Sequence, residues 1–302
     1  MIDKETRIKI AIQKSGRLTD HSLDLLQRCG LKYTRARDQL ICYGENMPLD
    51  ILLVRDDDIP SLVRDDVCDL GFVGLNIVEE TRLGSGGDSQ SDTEHFSVLR
   101  RMDYGHCRLS FGYPEDGEIQ SASQLNGRRI ATSYPNIVKD FLKRESLDAE
   151  VVEFSGAVEI APSLGRADVI CDLVSTGTTM AAHKIREGET LLESEAVILQ
   201  TPVALPAAKQ EWIDRLMQRI DGVMQVRESK YIMMHAPKSA LAKISELLPG
   251  SEAPTVLPLE GLEDIVAVHV VCRETVFWET LENLKGAGAS SVLVMPVEKM
   301  LA

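Results

Sequence analysis

Short apolar runs alternate with amphipathic stretches along the first part of the chain. Residues 7–12 (RIKIAI) predict a buried strand, and SGRLTDHSLDLLQRCG predicts a loop and a helix that ends at Gly30. The same order recurs with a strand at 49–54, a helix near 58–66 and a strand at 69–73. Because strands and helices alternate, the pattern predicts an α/β fold with a mostly parallel sheet.

The middle of the chain continues this pattern after a polar interruption. Residues 84–94 are rich in Gly, Ser and Asp and predict a surface loop. The segment 96–113 then indicates strands that cross toward a second lobe. Further along, AVEIAPSLGRA (157–167) predicts a helix that leads into a strand at 168–174.

The pattern changes after Ala204. A long polar helix is predicted at 207–229, and the remainder reads β-α-β-β-α-β. That order is typical of a ferredoxin-like module with two helices on one face of a sheet. We therefore predict a domain boundary near residue 225.

Composition narrows the class of protein. The formal net charge of -14 disfavours nonspecific nucleic-acid binding, because such binding depends on clustered Lys and Arg. A protein with this net charge can still bind a small anion in a locally basic pocket. No apolar run approaches the roughly 20 residues that a membrane helix needs, and the first residues lack a secretory signal, so we expect a cytoplasmic protein. The six cysteines form no C-x-x-C pair, so we expect buried free thiols rather than disulfides or a zinc site.

One motif combines a strand with a run of hydroxyls. In VICDLVSTGTTM (169–180) the predicted strand is followed by Ser175, Thr176, Gly177, Thr178 and Thr179. At the start of a helix these groups either cap the free backbone N–H groups or bind an anion such as phosphate. The pattern favours neither interpretation over the other.

Three cations follow predicted strand ends. Lys14 and Arg17 lie in QKSGRL after the first strand, and Arg55 follows the strand 49–54. Each of them taken singly is most simply explained as a solvated surface residue. Their shared position at the edge where α/β sheets bind ligands favours a role with phosphate groups.

Several motifs together resemble the long form of ATP phosphoribosyltransferase, the first enzyme of histidine biosynthesis, over essentially the whole chain. They are QKSGRL (13–18), VRDDDIP (54–60), DLGFVG (69–74), SGAVEIAP (155–162), ICDLVSTGTT (170–179) and ESKYIMMHAP (228–237).

The resemblance implies a reaction and an architecture. ATP and phosphoribosyl pyrophosphate would combine to N1-(5-phosphoribosyl)-ATP and pyrophosphate in the presence of Mg²⁺, with no covalent side-chain catalyst. The fold would be a two-lobed core like that of periplasmic binding proteins, followed by a ferredoxin-like regulatory domain. The implied boundaries are 1–105 with 185–224 for lobe I, 106–184 for lobe II and 225–302 for the regulatory domain.

The resemblance also implies roles for particular residues. For phosphoribosyl pyrophosphate these are Asp172, Glu159, Ser175, Thr176, Gly177, Thr178 and Thr179. Other phosphoribosyltransferases carry two adjacent acids before the loop, whereas Leu173 follows Asp172 here. Glu159 would supply the second acid, although its position also suits an ordinary helix-surface carboxylate.

The remaining implied sites concern the nucleotide and regulation. The nucleotide and pyrophosphate would be bound by Lys14, Arg17, Arg55, Asp69, Gly71 and Gly74. Histidine would bind the last domain near His235, Ser290 and Ser291, and AMP would be a further inhibitor. Mg²⁺ would arrive on the substrate phosphates rather than in a fixed protein site, and the chain would form dimers that assemble into hexamers.

Two other classes of protein fit parts of the pattern. A solute-binding protein would share the two-lobed fold, but the missing signal sequence and the hydroxyl loop count against it. An amino-acid sensor would explain the ferredoxin-like end and leave the first 225 residues without a role.

Overall fold

The structure is a computed structural model that describes residues 7–35, 39–85, 97–226, 229–248, 253–272 and 278–300. The polar loop predicted at 84–94 falls mostly on residues 86–96, which lie outside the described residues. The chain divides into two compact units. One comprises the residues up to Leu23 together with Leu31–Lys209, and the other comprises Asp24–Gly30 and the chain from Gln210 onward.

The first unit contains two sheets, and the first sheet has six strands in the order β2-β3-β1-β4-β11-β5. Its strands are β1 (Ile8–Gln13), β2 (Ile41–Tyr43), β3 (Leu49–Val54), β4 (Leu70–Gly74), β5 (Ser97–Arg101) and β11 (Ala196–Gln200). Strands β3, β1 and β4 are parallel, which confirms the order read from the first 74 residues. Strand β1 is almost wholly buried because it lies inside this sheet.

The second sheet has five strands in the order β10-β6-β9-β7-β8. They are β6 (Cys107–Pro114), β7 (Arg129–Thr132), β8 (Glu150–Glu153), β9 (Val169–Val174) and β10 (Ile185–Ser194). Strands β8, β7 and β9 are parallel, β6 is antiparallel to β9, and β10 is antiparallel to β6.

Most of the helices in this part of the chain lie between successive strands. They are α1 (Arg17–Arg28), α2 (Ile59–Arg64), α3 (Leu75–Gly84), α4 (Pro135–Arg144), α5 (Thr178–Ala182) and α6 (Ala207–Met224). A 3-10 turn at Asp56–Asp58 precedes α2, so the helix predicted near 58–66 is shorter than expected. The polar helix predicted at 207–229 ends earlier, at Met224.

The chain returns to the first sheet later than the boundary implied at residue 185. Strand β10 pairs with β6 in the second sheet, and only β11 pairs with β4 and β5 in the first. The predicted assignment of residues 185–194 to lobe I is therefore wrong. The apolar pattern of two successive strands does not predict which sheet each strand belongs to. Sheet membership depends on hydrogen bonds to strands that are distant in the sequence.

The helix predicted at 157–167 is also wrong. The structure has a 3-10 turn at Val158–Ile160, followed by further turns. Ala157 has a left-handed backbone, with φ of 49°, and Pro162 has no N–H to donate within a helix. The apolar residues of this segment have helical spacing, but Pro162 and the left-handed Ala157 interrupt the hydrogen bonds that a helix needs.

A buried apolar cluster continues from the first sheet into the second. It joins Val73 and Val197 of the first sheet to Phe111, Ile130 and Val169 of the second. The two lobes therefore share a core within one compact unit. Their strands end around the cleft in which the candidate site lies.

The second unit contains an antiparallel sheet in the order β13-β14-β12-β15. Its elements are β12 (Lys230–Pro237), α7 (Leu241–Glu246), β13 (Thr255–Leu259), β14 (Leu262–Cys272), α8 (Trp278–Gly286) and β15 (Ser290–Pro296). The predicted β-α-β-β-α-β order is confirmed. Ile232 and Met234 of β12 pack with Ile244 and Leu284 of the helices, which gives this sheet its own core.

None of the helices in the described part of the chain combines the length and the apolar character needed to cross a bilayer.

Candidate active site

The first unit contains two adjoining cavities of about 540 and 710 Å³. Asp56, Ile77 and Tyr134 line both of them, so the cavities are two parts of one cleft. Both sheets contribute to its walls. Volumes of this size suit ligands as large as a nucleotide.

The first cavity lies where parallel strands of the first sheet end. Gln13 closes β1, and Gly74 closes the neighbouring parallel strand β4; both line this cavity. Ligands of open α/β sheets bind beyond the carboxyl ends of the strands. The position of the cleft therefore follows from the topology of the sheet.

The hydroxyl loop lies between β9 and α5. Gly177 has a φ of 77° and directly precedes Thr178, the first residue of the helix. The Thr176 and Thr178 hydroxyls lie 2.9 Å apart, and Ser175 lines the first cavity. Ser175, Thr176, Thr178 and Thr179 are all exposed, and no side chain caps the start of α5. The hydroxyls are consequently available to a ligand instead of being used as helix caps.

Asp172 lies two residues before the end of β9, on the strand that leads into this loop. Its carboxylate accepts a hydrogen bond from the Leu173 N–H at 2.8 Å. Burial raises the pKa of Asp172 above its ordinary value, and the nearby Glu159 raises it further. Glu159 lies on the 3-10 turn at Val158–Ile160, which contacts β9, so the fold brings it near Asp172 although 13 positions separate them in the sequence.

The three candidate cations are exposed, and two of them line the cleft. Arg17 lines the first cavity and Arg55 lines the second. The Lys14 N–H donates to the Val54 carbonyl at 2.8 Å, so Lys14 lies where β1 and β3 end together. Arg55 precedes a row of three aspartates at 56–58. Burial raises the pKa of Asp57 above its ordinary value, Asp56 and Asp58 raise it further, and Arg55 opposes the rise in part.

Two residues of the proposed nucleotide group lie away from the cleft. Asp69 precedes β4, at the end opposite to Gly74, and accepts hydrogen bonds from the Lys9 N–H at 2.8 Å and the Lys209 ammonium at 2.7 Å. Gly71 is buried inside the sheet, where a Cβ atom would lie 2.6 Å from the Ile59 side chain. Both residues serve the packing of the first sheet.

A buried polar network that sequence reasoning missed lies at the cleft wall. The Asn76 side chain donates to the Tyr134 hydroxyl at 3.0 Å and accepts from the Ser194 hydroxyl at 2.9 Å. Burial raises the pKa of Tyr134, so this hydroxyl keeps its proton. The only sequence signal is the Ser-Tyr-Pro stretch, in which Pro135 marks a helix start and places Tyr134 at the helix cap.

Glu80 of α3 also escaped prediction. Its two carboxylate oxygens accept the backbone N–H groups of Asn136 at 2.8 Å and Ile137 at 3.0 Å, in the first turn of α4. Burial raises the pKa of Glu80, and these hydrogen bonds lower it again in part. The carboxylate thus caps a helix that begins 55 residues further along the chain, and no local pattern could have indicated it.

The proposed regulatory residues lie together in the second unit. His235 of β12 pairs in register with Ser290 of β15, and Ser291 follows with a left-handed φ of 50°. Both serines are exposed and His235 is half-buried. The register thus brings the three predicted residues to one place on the sheet.

Among the described residues, no three or more His, Cys, Asp or Glu side chains are arranged as a metal site.

Two models of known protein families match the chain. A family model described as ATP phosphoribosyltransferase matches residues 55–222, more than half of the chain. A second model, described as the HisG C-terminal domain, matches residues 227–299. The chain belongs to the ATP phosphoribosyltransferase family. Members of this family are pentosyltransferases of histidine biosynthesis, EC 2.4.2.17.

Solved structures resemble the two-lobed part of the chain. The ATP phosphoribosyl transferase (HisG:HisZ) complex from Thermotoga maritima is similar at a TM-score of 0.58 and 21% identity, over 71% of this chain and 98% of that chain. The alkanesulfonate-binding protein SsuA from Xanthomonas axonopodis pv. citri is similar at a TM-score of 0.45 and 16% identity, over 73% and 74% of the two chains. The predicted fold class, a lobed α/β core followed by a C-terminal domain with an antiparallel sheet, is confirmed.

Proposed function

We propose that this chain transfers the phosphoribosyl group of phosphoribosyl pyrophosphate to N1 of ATP, and that the loop 175–179 binds the 5-phosphate of that group. The observation that carries the assignment is the exposed set of hydroxyls around Gly177, directly after a strand that carries Asp172. Backbone N–H groups and hydroxyls at such a turn are donors to a phosphate. Gly177 lets the backbone approach the anion closely.

The neighbouring carboxylates suit the ribose. Asp172 and the nearby Glu159 each carry carboxylate oxygens, which can accept hydrogen bonds from ribose hydroxyls. Glu159 then takes the place of the second acid that Leu173 does not provide. Asp172 and Glu159 are half-buried, so water competes only partly for these hydrogen bonds.

The cations of the cleft suit the departing pyrophosphate and the triphosphate of ATP. Arg17 and Arg55 line its two parts, and Lys14 lies at the same edge of the first sheet. Guanidinium groups donate two parallel hydrogen bonds to phosphate oxygens and stabilise the charge that develops as pyrophosphate leaves. Gly74 borders this region, whereas Asp69 and Gly71 do not take part in the proposed site.

Mg²⁺ is the metal that the residues fit. Asp172 and Glu159 offer oxygen ligands, which Mg²⁺ prefers, and Mg²⁺ commonly reaches such sites bound to substrate phosphates. When bound, the ion would neutralise charge on the pyrophosphate. The protein residues would orient the ribose and the two phosphate groups for attack by the N1 atom of ATP.

The reaction can be tested directly. We expect ATP, phosphoribosyl pyrophosphate and Mg²⁺ together to give a product with a changed absorbance near the adenine band, together with stoichiometric pyrophosphate. Mixtures that lack any one of the three provide the controls. Pyrophosphate release without ATP, or no product with the complete mixture, would contradict the proposed reaction.

We further propose that histidine inhibits the enzyme through the second unit, with contacts from His235, Ser290 and Ser291. The juxtaposition of His235 and Ser290 on paired strands supports the assignment. Calorimetry with histidine and the Ser290→Ala variant tests it: binding should weaken in the variant. Equal binding by the variant and the original chain would exclude Ser290.

Three broader features complete the proposal. The chain acts in the cytoplasm, AMP competes for the nucleotide part of the cleft, and dimers assemble into hexamers. Light scattering after size-exclusion chromatography, with and without histidine, measures the assembly. A single monomeric species under both conditions would contradict it.

A further inference from the structure

A charged pair lies beside the proposed phosphate loop and is not part of the binding groups assigned so far. Arg108 of β6 donates two hydrogen bonds to the Glu187 carboxylate of β10, from Nε at 2.5 Å and from the second guanidinium nitrogen at 2.6 Å. The Ser110 hydroxyl, on the same strand as Arg108, forms a hydrogen bond with the Thr190 hydroxyl of β10 at 3.0 Å. Both charged side chains are partly exposed, so the pair is accessible from the solvent.

The strand register places Arg108 next to the residues of the loop. Arg108 pairs with Val174, the last residue of β9, and Ser110 pairs with Asp172. Residues directly opposite each other on antiparallel strands point to the same face of a sheet. Arg108, Ser110 and Asp172 therefore share one face, at the end where the loop begins.

The Glu187 carboxylate is close to the turn of the loop itself. A Cβ atom built on Gly177 would lie 3.8 Å from Glu187 Oε2. An unpaired carboxylate beside the loop would repel a phosphate bound there, because like charges separated by a few ångströms repel each other appreciably near a protein surface. In the structure, the Arg108 guanidinium neutralises that carboxylate.

We propose that Arg108 is a positioning residue of the transferase: by pairing with Glu187 it keeps the loop 175–179 electrostatically able to accept the 5-phosphate. The inference rests on the proposed function of the loop. Arg108 acts through Glu187, so its loss exposes a negative charge to the phosphate. The loss of Glu187 leaves a positive charge in the same place.

The opposite signs of these two losses provide the test. We expect Arg108→Gln to raise the KM for phosphoribosyl pyrophosphate about tenfold, and Glu187→Gln to leave it at or below the original value. The double variant, which removes both charges, should return within about twofold of the original. The KM for ATP should stay unchanged in all three, and added salt should reduce the effect of Arg108→Gln because it screens partly exposed charges.

The matched control is a second ion pair in the same lobe. Arg129 donates to Asp168 at 2.9 Å, with similar exposure of both side chains. Asp168 directly precedes β9, whereas the loop follows the other end of that strand. Arg129→Gln and Asp168→Asn should therefore lower thermal stability without changing the KM for phosphoribosyl pyrophosphate.

Each outcome bears on the inference. A rise of this KM in both Arg108→Gln and Glu187→Gln, or a double variant as poor as Arg108→Gln, would show that the pair only holds β6 and β10 together and would overturn it. If Arg108→Gln does not fold, Glu187→Gln carries the test, and a raised KM overturns the inference. Failure of the loop assignment can be told apart, because removal of the loop hydroxyls by Thr179→Ala or Thr176→Val would then leave phosphoribosyl pyrophosphate binding normal as well.

Discussion

Gly177 determines the geometry of the proposed phosphate loop. Its φ of 77° lies in the left-handed region, which glycine adopts without the steric cost that a Cβ atom brings. The Thr176 and Thr178 hydroxyls on either side come within 2.9 Å of each other as a result. The chemistry at this scale therefore depends on one backbone angle and on exposed hydroxyls.

Loss of a loop hydroxyl should weaken substrate binding. We expect Thr179→Ala and Thr176→Val each to reduce the free energy of phosphoribosyl pyrophosphate binding by about 1.5–3 kcal/mol, because each removes a donor to a charged phosphate. Isothermal calorimetry measures the change. Thr255→Val, which alters an exposed threonine of the second unit, is the control. Unchanged affinity in both loop variants, with the fold intact, would refute the loop assignment.

The exposed arginines of the cleft should matter for turnover rather than for folding. We expect Arg17→Ala and Arg55→Ala to slow turnover by at least about tenfold, while the melting temperature changes little, because exposed cations contribute little to stability. Steady-state kinetics and thermal melts measure the two effects. Arg144→Ala, which removes an exposed Arg144–Asp140 pair, should leave the rate unchanged. Near-normal rates in both cleft variants at saturating substrates would place these residues outside the site.

The coupling of Glu159 to Asp172 predicts a pH effect. Burial and then the Glu159 charge disfavour the ionised form of Asp172 and raise its pKa. Glu159→Gln removes the neighbouring charge, so Asp172 should ionise at lower pH. The acid limb of kcat/KM for phosphoribosyl pyrophosphate should therefore move to lower pH. Glu150→Gln, an exposed acid of the same lobe, serves as the control; an acid limb that stays in place in Glu159→Gln would argue against the coupling.

Among the elements, α4 depends on a residue of a different helix. The residue before it, Tyr134, makes no side-chain cap, and the first free N–H groups are satisfied by Glu80 of α3. Asn136 also donates to the Glu80 carbonyl at 3.3 Å. The start of α4, which forms part of the cleft wall, is thus held by α3.

Removal of this cap should destabilise the first unit. We expect Glu80→Ala to lower the free energy of unfolding by about 1–2 kcal/mol, the usual cost of an uncapped helix start. Glu79→Ala, which breaks only a pair with Arg82 inside α3, should cost about 0.3–0.5 kcal/mol. Urea unfolding followed by circular dichroism measures both. Equal losses in the two variants would contradict the capping role.

The elements that local pattern predicts are those with a regular apolar period. The expected order holds for β1, α1 and β3, and for the six helices and strands from β12 to β15. In each of these elements one face is buried, so the apolar residues recur with the period of a helix or a strand. The helix expected at 157–167 fails because Pro162 and Ala157 break its hydrogen bonds. Glu80, Asn76 and Arg108 were not found from sequence because their partners are distant in the chain.

At the scale of the whole molecule, composition and contacts divide the chain at different places. The change in pattern predicts a boundary near 225, whereas the compact second unit contains the chain from Gln210 onward, and so most of α6, together with Asp24–Gly30. Within that unit the Met300 N–H donates to the Gly222 carbonyl of α6 at 3.1 Å. The sequence of a polar helix such as α6 does not predict which of two hydrophobic cores its apolar residues pack against.

Truncation tests the regulatory role of the second unit. We expect a chain that ends near Arg227 to fold, since the first unit has its own core, and to lose inhibition by histidine. Histidine binding by calorimetry, to the truncated and full chains, is the measurement. A second truncation at Lys209 also removes all of α6 after its first three residues and serves as the comparison. Histidine binding retained by the truncated chains would place the regulatory site in the first unit.

The position of β11 bears on how the chain folds as it is synthesised. The second sheet uses residues 107–194 without interruption, whereas the first sheet is incomplete until β11 (Ala196–Gln200) lies between β4 and β5. Until then β5 has no partner strand, and β4 presents a free edge. During synthesis, all strands of the second sheet emerge from the ribosome before the first sheet receives its last strand, β11. We therefore expect the lobe that is synthesised first to finish folding last.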